Sequence, residues 1–324
     1  MKTRDFFRKS RPFGLCTAAI LALFAWHASL KAAATPEMGG AVATLAPGAV
    51  ADENGKRLKP TAVLAVGDDL YLLTPGSLWQ VERGVPALYE GGSLSAHKLG
   101  PLPQSAKGAD RLPLQELCNM TYLPNHDAVV VLDKSGDLYE YLRRQKKWQM
   151  YRSNLPFLPH QPDPEFIDLS RFGTEIALLD PERNQIWKVA GPVRVLPAMF
   201  PDILPWKVKA GDAILGDATG IAYDGVLYVM RRNGNITVYG DGHGTSAPQT
   251  AFKYPRTLKL RASRLITAAG APLYIVSREE NCVVAIDKKT RKTKLYAFAQ
   301  GSDLRGLLPA QDGFWILNNG VLQH

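Results

Sequence analysis

The chain has 324 residues, 39 of them Lys or Arg and 30 Asp or Glu, for a formal charge of +9. Six of the basic residues and one acidic residue fall within the first 34 positions, so the remaining 290 residues carry 33 against 29, or +4, which removes the case for a polybasic binder of nucleic acid or anionic membrane. The 28 glycines and 23 prolines exclude a mainly helical body, because both residues destabilise helix interiors.

At the start, Lys2, Arg4, Arg8, Lys9 and Arg11 precede an apolar stretch from Phe13 to about Leu30, and Ala32-Ala33-Ala34 comes next with small residues at both cleavage subsites. This pattern predicts a secretory signal peptide over residues 1–34, which places the mature chain in the periplasm or outside the cell. The rival is an uncleaved anchor, but the stretch is near the lower limit for spanning a bilayer and contains His27. No later segment has 18 apolar residues in a row, so residues 35–324 are expected to form one domain with no stable membrane span.

After the address comes GAVATLAPGAV from Gly40, which has strand character and belongs to no repeat. Six copies of one pattern then recur: LYLLTPGSLWQV from Leu70, VVVLDKSGDLYEY from Val129, IALLDPERNQIWKV from Ile176, LYVMRRNGNITVY from Leu227, LYIVSREENCVVAI from Leu273 and FWILNNGVLQH from Phe314. Each is an apolar run, a polar tip and an alternating run, the signature of short strands joined by tight turns. Recurrence at roughly 40–60 residues points to a propeller or solenoid.

Four strands can be read in a repeat. In the second they are LCNMTYLP, DAVVVLD, DLYEYLRR and KWQMYR; in the third EFIDLS, EIALLD, QIWKV and VRVLP; in the fifth RLITAA, PLYIVS, CVVAID and TKLYAF. The expected fold is therefore all-β, a six-bladed β-propeller of four-stranded antiparallel blades. The last repeat stops at His324 without its outer strands, so residues about 40–50, with Val42 and Thr44 in the strand and Pro47 ending it, are expected to pair with that blade and close the ring.

The hairpins, such as Leu178-Leu179-Asp180 followed by Ile186-Trp187-Lys188-Val189, resemble the six-bladed propeller group that includes NHL-repeat and TolB-like proteins, over about residues 40–324. Trp-Asp pairs of the WD40 type are absent, and the Gly-His pair at Gly242-His243 reads as part of a hairpin turn. The resemblance implies scaffolding, ligand binding or, in some branches, metal-dependent lactone hydrolysis, and it selects no branch.

The long connections Ser93–Glu116, Asn154–Pro164 and Met199–Asp217 each lead into an innermost strand, so all three are expected on one face. They carry Arg111, Phe157, His160, Trp206, Lys207 and Lys209, the candidate contacts for an envelope or extracellular protein, peptide or glycan. This binding reading implies no cofactor. The alternative is a metal-dependent hydrolase or lyase in which Asn119, Asp168 and Asp217, near the starts of innermost strands, offer oxygen ligands to a divalent cation at the mouth of the central channel.

Other features are read as structural. The tips at Asp133-Lys134, Asp180-Pro181, Arg231-Arg232 and Ser277-Arg278 hold residues that turns demand. The histidines are scattered without zinc-ligand spacing, and no Gly-x-Ser-x-Gly elbow occurs. The clusters Arg143-Arg144-Gln145-Lys146-Lys147 and Lys288-Lys289-Thr290-Arg291-Lys292 fall on hairpins half a ring apart, so they are expected to be solvated tips rather than a nucleic-acid track. Cys118 and Cys282 fall at different radii in distant repeats and are expected to be separate buried thiols.

Overall fold

A strand of this protein that is buried on both faces must be apolar at nearly every position, and several of its strands are. β7 (Ala128–Asp133) reads AVVVLD and is buried throughout. In the computed structural model, which describes residues 48–91, 94–100, 117–134, 137–150, 166–189, 203–205, 215–239, 249–252, 264–310 and 312–324, such strands sit second from the centre of each sheet. All these residues belong to one unit, Thr44–His324.

The chain begins its described course with β1 (Gly48–Asp52), then builds a first blade from β2 (Ala62–Val66), β3 (Asp69–Thr74), β4 (Ser77–Val81) and β5 (Leu94–Lys98), with a short helix, Gly84–Tyr89, before β5. The second blade is β6 (Leu117–Leu123), β7, β8 (Leu138–Leu142) and β9 (Lys147–Met150). The third is β10 (Asp168–Phe172), β11 (Glu175–Asp180), β12 (Gln185–Val189) and β13 (Ile203–Pro205). The fourth is β14 (Ala218–Tyr223), β15 (Leu227–Arg231), β16 (Ile236–Tyr239) and β17 (Gln249–Phe252). The fifth is β18 (Arg264–Ile266), β19 (Leu273–Ser277), β20 (Cys282–Ile286) and β21 (Thr293–Ala297), and the last comprises β22 (Leu304–Ala310), β23 (Gly313–Asn318) and β24 (Val321–Gln323). Within each blade, strands consecutive in the chain are neighbours in the sheet, as expected of a β-propeller.

The core lies between blades, and the period of two explains how. Val129 and Val131 pack against Leu73 and Leu78 of the first blade, whereas Val130 and Leu132 pack against Ile176 and Leu178 of the third. Ala177 and Leu179, on the other side of β11, meet Ile221 and Val229 of the fourth. Alternate side chains of one strand thus serve opposite neighbours, which is why no polar face remains. The turns between second and third strands are closed as the sequence demands. Asn184, Asn281 and Asn319 adopt positive φ of 55°, 48° and 51°. Asp133 and Asp180 accept the backbone N–H of Asp137 and Arg183 at 2.9 and 3.1 Å.

The ring closes through β1, with a shift from expectation. β1 is antiparallel to β24, with Gly48 opposite Leu322 and Ala49 opposite Val321. The described strand begins at Gly48, directly beyond the Pro47 expected to end it, and Val42, Thr44 and Pro47 lie outside the described residues. Its other edge runs parallel to β5, Val50 opposite Leu94, so first and last blades share an eight-stranded sheet. Val50 has no exposed surface and packs with Leu58, Leu94, Leu317 and Leu322. Burying this strand on both edges outweighs a simpler pairing with the last blade alone, because it leaves neither blade an open row of backbone donors there.

Two further expectations need correction. The outermost strand of the third blade is Ile203–Pro205 rather than VRVLP at 193–197, so the connection Met199–Asp217 contains a strand. Likewise β5 occupies the start of the connection Ser93–Glu116. The basic hairpins are also not uniformly solvated. Arg143 donates to the Tyr71 hydroxyl at 2.8 Å and to Asp127 at 2.8 Å, and lies 5.7 Å from the Tyr71 and Tyr122 ring centroids. Lys288 pairs with Asp224 of the fourth blade and donates to Thr267 at 2.8 Å. The first cation of each cluster clamps blade to blade, while Arg144, at 89% exposure, is a solvated tip.

Candidate functional site

The innermost strands all begin on one face, called here the top face, and the turns between second and third strands open on the same side. Where these ends converge on the channel mouth there is a recess of about 210 Å³. Among the described residues, four cations line it: Lys134 just after β7, Arg264 at the first position of β18, Arg278 just after β19 and Arg305 at the second position of β22. Thr61 and Cys118 complete the polar part of the wall, and no acidic side chain among the described residues lines it.

Acids stand behind or between the cations. Asp303 bridges Arg278 at 3.0 Å and Arg305 at 2.7 Å. Asp168, at the first position of β10, faces the protein. Its Oδ1 accepts the Asn119 side-chain amide at 2.5 Å and the Leu169 N–H at 2.9 Å, and its Oδ2 accepts the Ile221 N–H at 2.8 Å. Gly220 makes room for this: a Cβ there would stand 3.2 Å from Oδ2. Arg264 donates to the Cys118 carbonyl oxygen.

Desolvation dominates the electrostatics. It raises the Asp168 carboxyl above its ordinary value even though Ile221, Arg264 and Asn119 favour the charged form. It lowers the Arg264 guanidinium despite the field of Asp168. It pushes the Cys118 thiol up to about 12, with Asp168 adding to the effect, so this sulfur is a neutral thiol that donates to the Leu132 carbonyl at 3.4 Å. Cys118 and Cys282 are both free and pack in different clusters, as expected, but only Cys282 is buried; Cys118 is half-buried, because it lines the recess.

Of the three oxygen-ligand candidates, the structure brings Asn119 and Asp168 together and leaves Asp217 apart. Asp217 precedes β14, is 46% exposed and pairs with Arg231 of its own blade. Among the described residues, no group of three His, Cys, Asp or Glu side chains is placed to hold a metal ion. Arg111, Phe157, His160, Trp206, Lys207 and Lys209 lie outside the described residues. The cationic wall is not apparent from the sequence. Lys134 and Arg278 look like turn residues, Arg264 occupies the same innermost-strand slot as Asn119 and Asp168, and Arg305 stands at the bulge just before that slot, as Cys118 does in the second blade, a parallel visible only when the repeats are aligned strand by strand.

No family model matches the sequence, and a comparison with curated proteins gives no match. Solved structures do match. A streptogramin B lyase superposes with a TM-score of 0.52 at 14% identity, covering 89% of this chain and 95% of that one. A catalytically inactive virginiamycin B lyase from Staphylococcus aureus with quinupristin gives 0.50 at 16% identity, covering 84% of each chain. PorZ, a surface component of the type-IX secretion system of Porphyromonas gingivalis, gives 0.45 at 14% identity, and the match covers 82% of this chain but 36% of the longer PorZ chain. Among the described residues no helix is long and apolar enough to cross a membrane. The two lyase matches bear on the fold alone, and with the sheet order they show that this chain has a β-propeller fold.

Proposed function

We propose that this protein is an exported binding module that engages an envelope or extracellular protein, peptide or glycan on its top face. The observation that carries this reading is the recess at the channel mouth, which gathers charged side chains from the second, fifth and last blades into one wall. A fold gains nothing by converging like charges, so their convergence favours a ligand over packing. The strands β6, β10 and β14 start on this face, and this reading assigns to the same binding surface the segments that precede them in sequence, with Arg111, Phe157, His160, Trp206, Lys207 and Lys209. In this reading the rim supplies contact area and the channel mouth supplies specificity.

The test is a shortening confined to residues 206–214, which spares β13 and β14. The variant is expected to melt as the parent does and to lose capture of its partner from an envelope extract. Unchanged capture by a normally folded variant would overturn the proposal.

A further inference from the structure

The recess tells more about the ligand than its location does. Three carboxylates around its four cations are held in bonds of their own. Asp168 is turned into the wall and already accepts three hydrogen bonds. Asp133 is fully buried at the end of β7 and binds its own turn. Asp303, the third, ties up Arg278 and Arg305 through bridges whose members are 30–43% exposed, and exposed bridges of this kind contribute little, so an incoming anion can replace them. A guanidinium carries five N–H donors, and among the described residues that of Arg264 donates to one acceptor, the Cys118 carbonyl. Burial lowers the Arg264 guanidinium, and the neighbouring charges of Arg305 and Arg278 add to that effect while Asp168 opposes it. An anion in the recess offsets that effect and turns the like charges from a liability into a clamp.

Size restricts the ligand further. At about 210 Å³ the recess is smaller than the roughly 300 Å³ at which whole small-molecule sites begin. It takes one compact group rather than a chain.

We infer that the recess at the channel mouth, walled by Lys134, Arg264, Arg278 and Arg305, is an anion site that receives a carboxylate or phosphate group presented by the ligand. This rests on the top face being the binding face, and it names the chemistry recognised there.

The experiment is thermal melting of the full mature protein with sodium phosphate, sodium citrate and, at matched ionic strength, sodium chloride. A ligand that binds the folded state raises the melting temperature in a saturable way. The parent is expected to respond to phosphate or citrate beyond chloride, and which of the two acts tells phosphate from carboxylate. In the double variant Arg278→Gln with Arg305→Gln, whose positions are partly exposed, the half-saturating concentration is expected to rise by roughly tenfold or more. Arg264→Met is the stricter test, and the double variant keeps the question answerable if that protein does not fold. A parent that responds to neither anion beyond chloride, or a double variant that responds as the parent does, overturns the anion site. Partner capture is read on the same proteins: if it persists without any anion response, the binding face stands and only its chemistry has been misassigned.

Discussion

Asp168 on the third blade accepts the backbone N–H of Ile221 on the fourth at 2.8 Å. The same carboxylate accepts Asn119 from the second blade at 2.5 Å, so one side chain ties three consecutive innermost strands. Asp168→Ala leaves Ile221 and Asn119 without their acceptor and Arg264 without its electrostatic partner. The expected cost is about 3 kcal/mol, read from urea unfolding. A cost within error of zero would mean that these bonds are replaced by water.

Arg143, held by Asp127 of its own blade, makes a second tie, on the opposite face, from the second blade to Tyr71 of the first. Burial works against the Asp127 carboxylate, but hydrogen bonds from Tyr122 and Arg143 and the guanidinium charge hold it below the ordinary carboxylate value. A depressed acid contributes stability above its unfolded value and loses it as pH falls through the folded one. Asp127→Asn keeps a residue that tolerates the local φ of 49°. It is expected to be less stable than the parent at neutral pH, with the gap closing below about pH 4. A gap independent of pH would contradict the assignment.

Ring closure by β1 makes a local strand a global determinant. Val50→Ala should cost roughly 2 kcal/mol, the value for losing fully buried methyl groups. Deleting residues 35–52 should lower the melting temperature and broaden the transition of the whole domain, followed by circular dichroism. A deletant melting like its parent would show the last blade closed by some other segment.

Cys118 should be inert. With its thiol pushed up to about 12, the reactive thiolate fraction at pH 8 falls on the order of a thousandfold below that of an unperturbed cysteine. In a Cys282→Ser background, alkylation of the native protein should be slowed accordingly and restored by denaturant. Rapid modification of the native form would place Cys118 in a wetter setting than the structure shows.

The strand pattern is legible in the sequence because each repeat restates it. DAVVVLD and CVVAID are apolar at nearly every position, and burial between two neighbouring blades is what that pattern encodes. The outer edge is less legible. Ile203–Pro205 and Leu94–Lys98 are short, and their partners along the sheet, rather than their own composition, decide where they pair. The site is half legible. Asn119 and Asp168 follow from their slot at the start of an innermost strand; Arg264 shares that slot, and Arg305 stands one residue ahead of it at a bulge. Their convergence with Lys134 and Arg278 depends on the curvature of the ring, which no single repeat contains. Arg143 and Lys288 read as solvated for the same reason: their partners, Tyr71 and Asp224, belong to another blade.

The central claim is that partners bind on the top face at the channel mouth, and site-specific photocrosslinking tests it most directly. A photoreactive residue at Arg232 or Glu279, both exposed on that face, is predicted to trap the partner from an envelope extract, while one at Arg144 or Lys289, exposed on the opposite face, is predicted to trap nothing. Trapping from Arg144 or Lys289 with none from Arg232 or Glu279 would contradict the account.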